Sequence, residues 1–131
     1  METLALVFHW FNAVVYLAMG IYCTGWTAKA AAKLGISLGT PHGTTDFRAT
    51  YGGMLLAAGF FFFFAVLRGS IPLESASWLS LLLYLGLGVT RLYGVLTEKP
   101  TTRLMITFLI IELTLAVLSG WLLIDSAQAD V

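Results

Sequence analysis

Three charged side chains lie within stretches of the sequence that are apolar enough to cross a membrane: Arg48, Arg91 and Glu112. A charge at the centre of a bilayer costs about 2.5–3.5 kcal/mol on insertion scales, so such a residue is expected to face the interior of a helix bundle and to find a partner there. Glu112 is the counter-charge available to Arg91. Two arginines against one glutamate leave an excess of positive charge, which Asp46, backbone carbonyls, water or a bound anion would have to offset.

This charge centre has two interpretations. It is either a buried ion pair between Arg91 and Glu112, with Arg48 nearby, that fixes the register of the helices, or a site for an anionic head group, a carboxylate or a proton. Four hydroxyl-bearing residues could line such a cavity: Tyr51, Tyr84, Thr90 and Tyr93. Taken singly, each is more typical of a hydroxyl that is hydrogen-bonded at a helix interface.

Other kinds of chemistry find no support in the sequence. His9 lies near the outer end of the first predicted span, whereas His42 lies in the cytoplasmic connection that follows it, so one chain cannot supply both axial ligands of a haem. Cys23 is the only cysteine, which excludes an intrachain disulfide and a thiolate-only metal site. No serine or cysteine lies in a motif with an evident base. We therefore expect no catalytic residue, metal or cofactor, and the formal net charge of zero gives no case for nucleic acid.

The elements that must position the charges are membrane spans. Of the 131 residues, 59% are hydrophobic and 11% are charged, whereas soluble domains carry about a quarter charged residues. Apolar runs long enough to cross a bilayer occupy about residues 4–25, 47–67, 77–96 and 104–124. The predicted fold is an all-α membrane protein, an antiparallel bundle of four transmembrane helices that forms a single domain over residues 1–131.

Small residues recur at a spacing of four and indicate where helices approach one another closely. The glycines predicted to pack in this way are Gly53, Gly86, Gly94 and Gly120. Gly86 and Gly94 share a stripe with Thr90. A second stripe combines Arg48 with Gly52 and Gly59, so that the charge lies on the side expected to face other helices.

The connections between the spans carry ordinary helix-breaking residues. Residues 28–33 are good helix formers and are expected to extend the first helix, after which Gly35, Gly39, Pro41 and Gly43 break it. Residues 44–46 are candidate N-caps for the second span. The later turns are predicted at residues 68–72 and 98–100, Thr101 or Thr102 is the candidate cap of the fourth helix, and residues 125–131 form a polar tail.

The distribution of basic residues predicts the orientation of the spans. Lys29, Lys33, Lys99 and Arg103 lie in the first and third connections, whereas the opposite side carries Arg68 alone among the connections. By the positive-inside rule these two connections are cytoplasmic and both termini lie outside.

Three short motifs carry a resemblance to a known family: Phe47-Arg48-Ala49-Thr50-Tyr51-Gly52-Gly53, Gly88-Val89-Thr90-Arg91 and Ile111-Glu112-Leu113. Together they resemble a family of small four-span bacterial inner-membrane proteins that is catalogued as a domain of unknown function. The resemblance implies that Arg48, Arg91 and Glu112 are the polar signature of the family, and it brings no activity with it. The loop from Lys29 to Gly43 does not match the pattern.

Three functions are compatible with these observations. The leading hypothesis is a non-catalytic membrane protein that serves as an accessory or stabilising subunit, with the lipid bilayer and other membrane subunits or a second copy as its partners. The alternative is a binder or carrier of a small anionic or amphipathic molecule at the charge centre. A weaker alternative is an enzyme that modifies a lipid or quinone with Glu112 as acid or base, a role that suits a carboxylate held by arginines poorly.

Overall fold

The computed structural model describes residues 2–68, 73–98 and 103–129, and within these ranges all regular structure is helical. The elements are α1 (Glu2–Gly25), α2 (Thr27–Lys33), α3 (Pro41–Phe47), a π-helical segment (Arg48–Gly53), α4 (Met54–Arg68), α5 (Leu73–Glu98) and α6 (Arg103–Ala129). Four stretches are long and apolar enough to span a membrane: Thr3–Gly25, Pro41–Leu67, Leu73–Thr97 and Arg103–Asp125. The predicted fold class, an all-α membrane protein with four spans, is confirmed, and the chain is a multi-pass membrane protein.

The chain forms two compact units. The N-terminal unit contains α1 to α4, and the C-terminal unit contains α5 and α6. Each unit is built on one pair of antiparallel helices, α1 with α4 and α5 with α6, and these two pairs make the most extensive helix contacts in the structure. The prediction of a single domain over residues 1–131 stays a prediction.

In the N-terminal unit, glycines allow the backbones of α1 and α4 to approach closely. A Cβ atom on Gly59 would lie 2.7 Å from the backbone nitrogen of Leu17, and one on Gly20 would lie 2.8 Å from that of Leu56. Gly52 packs in the same way on Thr24. The stripe that was predicted from Gly52 and Gly59 is therefore the one that faces α1.

Gly53 does not pack against another helix in the described structure, although it was predicted to do so. The residue is exposed, and a Cβ atom placed on it would meet only the carbonyl oxygen of Arg48 in its own helix, 3.9 Å away. One step along a helix turns the side-chain direction by about 100°, so Gly52 and Gly53 cannot both face α1. The contact belongs to Gly52.

Aromatic side chains fill the other end of this helix pair. Phe62 and His9 are fully buried, and their rings stack with centroids 5.8 Å apart. Tyr16 adds a tilted contact to the ring of Phe62. Phe60 and Phe64 lie on the exposed side of α4, as expected for a run of five phenylalanines that covers every face of a helix.

The connection between the first two spans differs from the prediction. The first helix ends at Gly25 and does not continue through residues 28–33, because Trp26 leaves the helical region (φ −120°, ψ 47°) and a separate helix α2 follows. As predicted, Gly35 and Gly39 interrupt the helical structure, and both have a positive φ. Pro41 does not break a helix.

Helix α3 begins at Pro41 and contains Gly43, so the predicted caps at residues 44–46 are wrong. Thr40 is the N-cap, and its hydroxyl accepts a hydrogen bond of 3.1 Å from the backbone N–H of Gly43. Proline suits the first position of a helix because its missing N–H would have no helical partner there. The second span therefore starts six residues earlier than the predicted residue 47, at Pro41.

Replacing Thr40 with alanine should lower the free energy of unfolding by about 0.5–2 kcal/mol, since the N–H of Gly43 loses its acceptor. The matched control is Thr45→Ala. The Thr45 hydroxyl only donates back to the carbonyl of Pro41, so its loss should be nearly neutral. Thermal unfolding of both variants in detergent measures the difference, and equal stabilities would show that the cap contributes nothing.

The third and fourth spans are longer than predicted. Helix α5 starts at Leu73 and not near residue 77, and α6 continues to Ala129, so the predicted polar tail is helical as far as that residue. Alanine and glutamine in this segment are good helix formers, which explains the extension. The turns and caps predicted within residues 69–72 and 99–102 lie outside the described residues.

Candidate functional site

Arg91 and Glu112 form a two-bond ion pair between α5 and α6. The Nε atom of Arg91 donates to Oε2 of Glu112, and Nη2 donates to Oε1, both at 2.7 Å. The two side chains are 24% and 10% exposed, respectively. The contact that the sequence predicted between these residues is present, and its fork geometry is the strongest form of an arginine–carboxylate interaction.

The hairpin brings the two charges to the same level. Arg91 lies about two turns before the end of α5, and Glu112 lies about two and a half turns after the start of α6. One turn before Arg91, Gly88 leaves room for the neighbouring helix. A Cβ atom on Gly88 would lie 3.0 Å from Cδ2 of Leu113 and 3.7 Å from Cβ of Glu112.

Two further α6 residues contact the Arg91 guanidinium. Its Nη1 atom lies 3.4 Å from the sulfur of Met105, and its Cζ atom lies 5.3 Å from the centre of the Phe108 ring. A thioether and an aromatic face are weak partners for a cation, and they are worth more where water is excluded. Sequence reasoning missed both residues, although their spacing with Glu112 places all three on one face of α6.

Arg48 belongs to the N-terminal unit and has a different partner. Its Nε atom donates to the hydroxyl of Thr27 at 2.8 Å, and that hydroxyl in turn donates to the carbonyl of Thr24 at 3.0 Å. Arg48 was expected to be a buried charge, but it is exposed, because it lies where the second span passes the end of α1. Thr27, which is buried, was not predicted from the sequence.

Arg48 is also the first residue of the π-helical segment. A π turn widens the helix by one residue, and such segments occur frequently at functional sites. Tyr51 lies in the same segment, is 41% exposed, and stacks on the ring of Phe47 with centroids 4.6 Å apart. It lines a shallow cleft of about 300 Å³ together with residues of the connection after α2, among them Ile36 and Leu38.

A family model described as "Domain of unknown function (DUF4345)" matches residues 4–123. The chain belongs to this family. The match covers the four spans almost completely, including Arg48, Arg91 and Glu112. No significant match occurs among the curated proteins or among the solved structures. Membership of the DUF4345 family therefore supports the predicted resemblance and assigns no activity.

The remaining residues predicted to line the site are spread over the DUF4345 fold. Tyr84 is buried, whereas Tyr93 is 69% exposed. The Thr90 hydroxyl donates to the backbone carbonyls of Gly86 at 2.7 Å and Leu87 at 3.1 Å, so it serves its own helix.

Gly86 lies on a different side of α5 from the ion pair, about 140° around the helix from Arg91, whereas Gly94, three residues after Arg91, lies only about 60° from it. Among the described residues, a Cβ atom on Gly86 or Gly94 would meet nothing within 4 Å, whereas Gly120 on α6 is in ordinary contact with Leu81, at 3.9 Å. Gly88 makes the close approach within this DUF4345 hairpin. The stripe of Gly86, Thr90 and Gly94, called here the α5 stripe, is open.

Arg91 and Glu112 are already paired with each other, which limits the chemistry that this arrangement can perform. Arg91 and Glu112 neutralise each other, and both carboxylate oxygens already accept hydrogen bonds. Across the described ranges, no group of three or more histidine, cysteine or acidic side chains is placed to hold a metal ion. Among the described residues, the hydrogen-bond partner of Arg48 is the hydroxyl group of Thr27, which carries no charge.

Proposed function

We propose that this DUF4345 protein is a non-catalytic membrane protein that acts as a small accessory or stabilising subunit. In this proposal the α5 stripe docks a transmembrane helix of another membrane polypeptide or of a second copy. The observation that carries the proposal is the open stripe: within the part of the chain that the structure describes, Gly86 and Gly94 have space for a partner and no neighbour within 4 Å of the Cβ position.

The shape of the stripe suits a helix contact in lipid. Helices in a bilayer associate through close backbone packing, which glycine and threonine permit. Thr90 directs its hydroxyl back to the carbonyl of Gly86, so the ridge presents a methyl group and no unsatisfied donor. Within the C-terminal unit, Gly88 packs against α6, whereas the Cβ position of Gly86, about 160° away around α5, has no described neighbour within 4 Å, which leaves room there for a different helix.

The ion pair supports this non-catalytic function better than the alternatives. A ligand that bound Arg91 would have to displace Glu112 from two hydrogen bonds of 2.7 Å. An acid or base at Glu112 would have to give up the same bonds. Fixing the register of α5 against α6 needs no change in the observed geometry.

We further propose that the protein resides in a bacterial inner membrane, with both termini outside and the first and third connections cytoplasmic. Lys29 and Lys33 lie in α2, immediately after the first span, and Arg103 is the first residue of α6. Basic residues that flank spans are retained on the cytoplasmic side.

Introducing bulk on the α5 stripe tests the subunit proposal. The double variant Gly86→Leu/Gly94→Leu should weaken association by about tenfold or more, because two side chains would fill the space for the partner helix. The measurement is the mass and composition of the particle extracted from its own membrane in mild detergent. The native protein should emerge with partners at fixed stoichiometry or as a homo-oligomer, and the double variant as a monomer.

The matched control is Val117→Leu, which adds bulk at a residue of α6 that is 74% exposed. Neither change should alter the fold, since the stripe glycines contact no neighbour within 4 Å of the Cβ position. A native protein that is monomeric in its own membrane would contradict the proposal. Unchanged association of the stripe variant would contradict it equally.

A further inference from the structure

A basic cleft lies where the first span ends. It has a volume of about 330 Å³, and its wall comes from the end of α1, from α2 and α3, and from the π-helical segment. The side chains that matter for its chemistry are Trp26, Thr27, Lys29, Leu38, Thr44 and Arg48. All of them belong to the N-terminal unit.

The cleft carries two positive charges and no acidic side chain in its wall. Arg48 uses Nε for Thr27, and its two terminal nitrogens make no hydrogen bond or ion pair with any residue that the structure describes. Lys29 has no such partner among those residues either. Asp46, the nearest acidic residue in the sequence, pairs with His42 at 3.5 Å. The side chains of Arg48 and Lys29 therefore remain available as hydrogen-bond donors to an anion.

The cleft lies at the end of the first candidate membrane span, Thr3–Gly25, and beside the start of the second. The hydrogen bond from Arg48 to Thr27 places Arg48 beside the residues that immediately follow α1, although it lies within the apolar second span. Trp26, at the end of the first span, is 53% exposed, as tryptophans at membrane interfaces are. A ligand in this cleft can therefore reach it from the lipid.

We propose that this cleft binds the phosphate of an anionic lipid head group. The planar guanidinium of Arg48 can donate two parallel hydrogen bonds to phosphate oxygens, and the ammonium of Lys29 adds a second charge. Trp26 and Leu38 provide an apolar wall for the glycerol and the start of the acyl chains. The inference rests on the cleft alone and does not depend on the subunit proposal.

The hydrogen bond to Thr27 gives the site its preorganisation. Thr27 is buried and its hydroxyl donates to Thr24, so the acceptor oxygen that holds Nε of Arg48 is fixed. A fixed Nε orients the plane of the guanidinium and leaves its terminal edge for the ligand. The π-helical turn that begins at Arg48 changes the local direction of side chains, as such turns do at ligand sites.

The test is titration of the delipidated full-length protein with phosphatidylglycerol or phosphatidylcholine, followed by native mass spectrometry. Phosphatidylglycerol should bind at one preferred site, and Arg48→Gln and Lys29→Gln should each weaken this binding by about tenfold. The control is Arg103→Gln, which removes an exposed arginine of the C-terminal unit and should leave the binding unchanged. Circular dichroism of each variant checks that the fold survives.

The Lys29→Gln variant keeps the test decisive if Arg48→Gln unfolds, because Lys29 makes no hydrogen bond within the described structure. A parallel titration with inorganic phosphate separates the possible sources of the ligand. If inorganic phosphate binds as tightly as phosphatidylglycerol, and with the same dependence on Arg48, the ligand is a free anion and the proposal of a lipid head group is wrong. Equal binding of the two lipids, or an equal loss in Arg103→Gln, would overturn the site itself.

Discussion

Replacing Glu112 with leucine should lower the free energy of unfolding by about 3–5 kcal/mol, the usual effect of removing one partner of a buried ion pair. The guanidinium of Arg91 would lose both of its charge-assisted hydrogen bonds to Glu112, and the sulfur of Met105 and the ring of Phe108 would remain beside it on α6. Neither can neutralise a full charge. Unfolding by titration with sodium dodecyl sulfate in mixed micelles measures the loss.

The double variant Arg91→Met/Glu112→Leu is the control for this prediction. Replacing a whole buried ion pair by apolar residues of similar volume is often neutral, or stabilising by about 1–4 kcal/mol. We therefore expect the double variant to regain most of the stability that Glu112→Leu loses. If it is as unstable as the single variant, the two hydrogen bonds of the pair stabilise the hairpin beyond compensating charge, and the expectation that two apolar residues can replace the pair is wrong.

Adding a single methyl group at Gly59 should be the second most damaging change. In Gly59→Ala the new Cβ would lie 2.7 Å from the backbone nitrogen of Leu17, and a backbone atom cannot rotate away as the end of a flexible side chain can. Helix α4 must therefore move away from α1. Overpacking of this kind costs about 1–3 kcal/mol, and the helix propensity that alanine gains over glycine, about 1 kcal/mol, offsets part of it.

Gly53→Ala is the matched control, since it makes the same chemical change six residues earlier on the exposed side of the span. Its Cβ would meet only the carbonyl of Arg48, 3.9 Å away, so the variant should be neutral or more stable by up to about 1 kcal/mol. Unfolding of both variants under the same conditions gives the comparison. A larger loss for Gly53→Ala than for Gly59→Ala would show that the assignment of the packing face is wrong.

The sequence predicted the four spans because hydrophobic length is a strong and local signal. Their ends were less predictable. Thr40 caps a helix that starts with Pro41. From the sequence alone, these two residues are equally typical of an irregular loop, because Gly39 and Gly43 lie beside them. Trp26 ends α1 although the residues after it are good helix formers. In both places the outcome depends on tertiary packing that no local pattern records.

One part of the candidate site, the contact between Arg91 and Glu112, was predictable from the sequence because it depends on charge. Arg91 and Glu112 lie in spans joined by a short connection, so their contact follows from charge balance and helix length. The environment of Arg48 was not predictable, because Thr27 lies in a separate short helix that the sequence did not indicate.

The packing faces of α5 show the same limit. Gly86 and Gly88 are two positions apart and lie on opposite sides of one helix, so each of these two sides carries a small residue. Periodicity identifies two faces that can approach another helix. It does not say which one α6 will occupy.

Pairing Arg91 with Glu112 has a consequence for how the protein enters the membrane. The two residues are separated by only 21 positions and belong to one hairpin, so the charge of α5 is neutralised by the segment synthesised directly after it. The charges that the two helices of this hairpin bring into the bilayer therefore cancel within the hairpin itself.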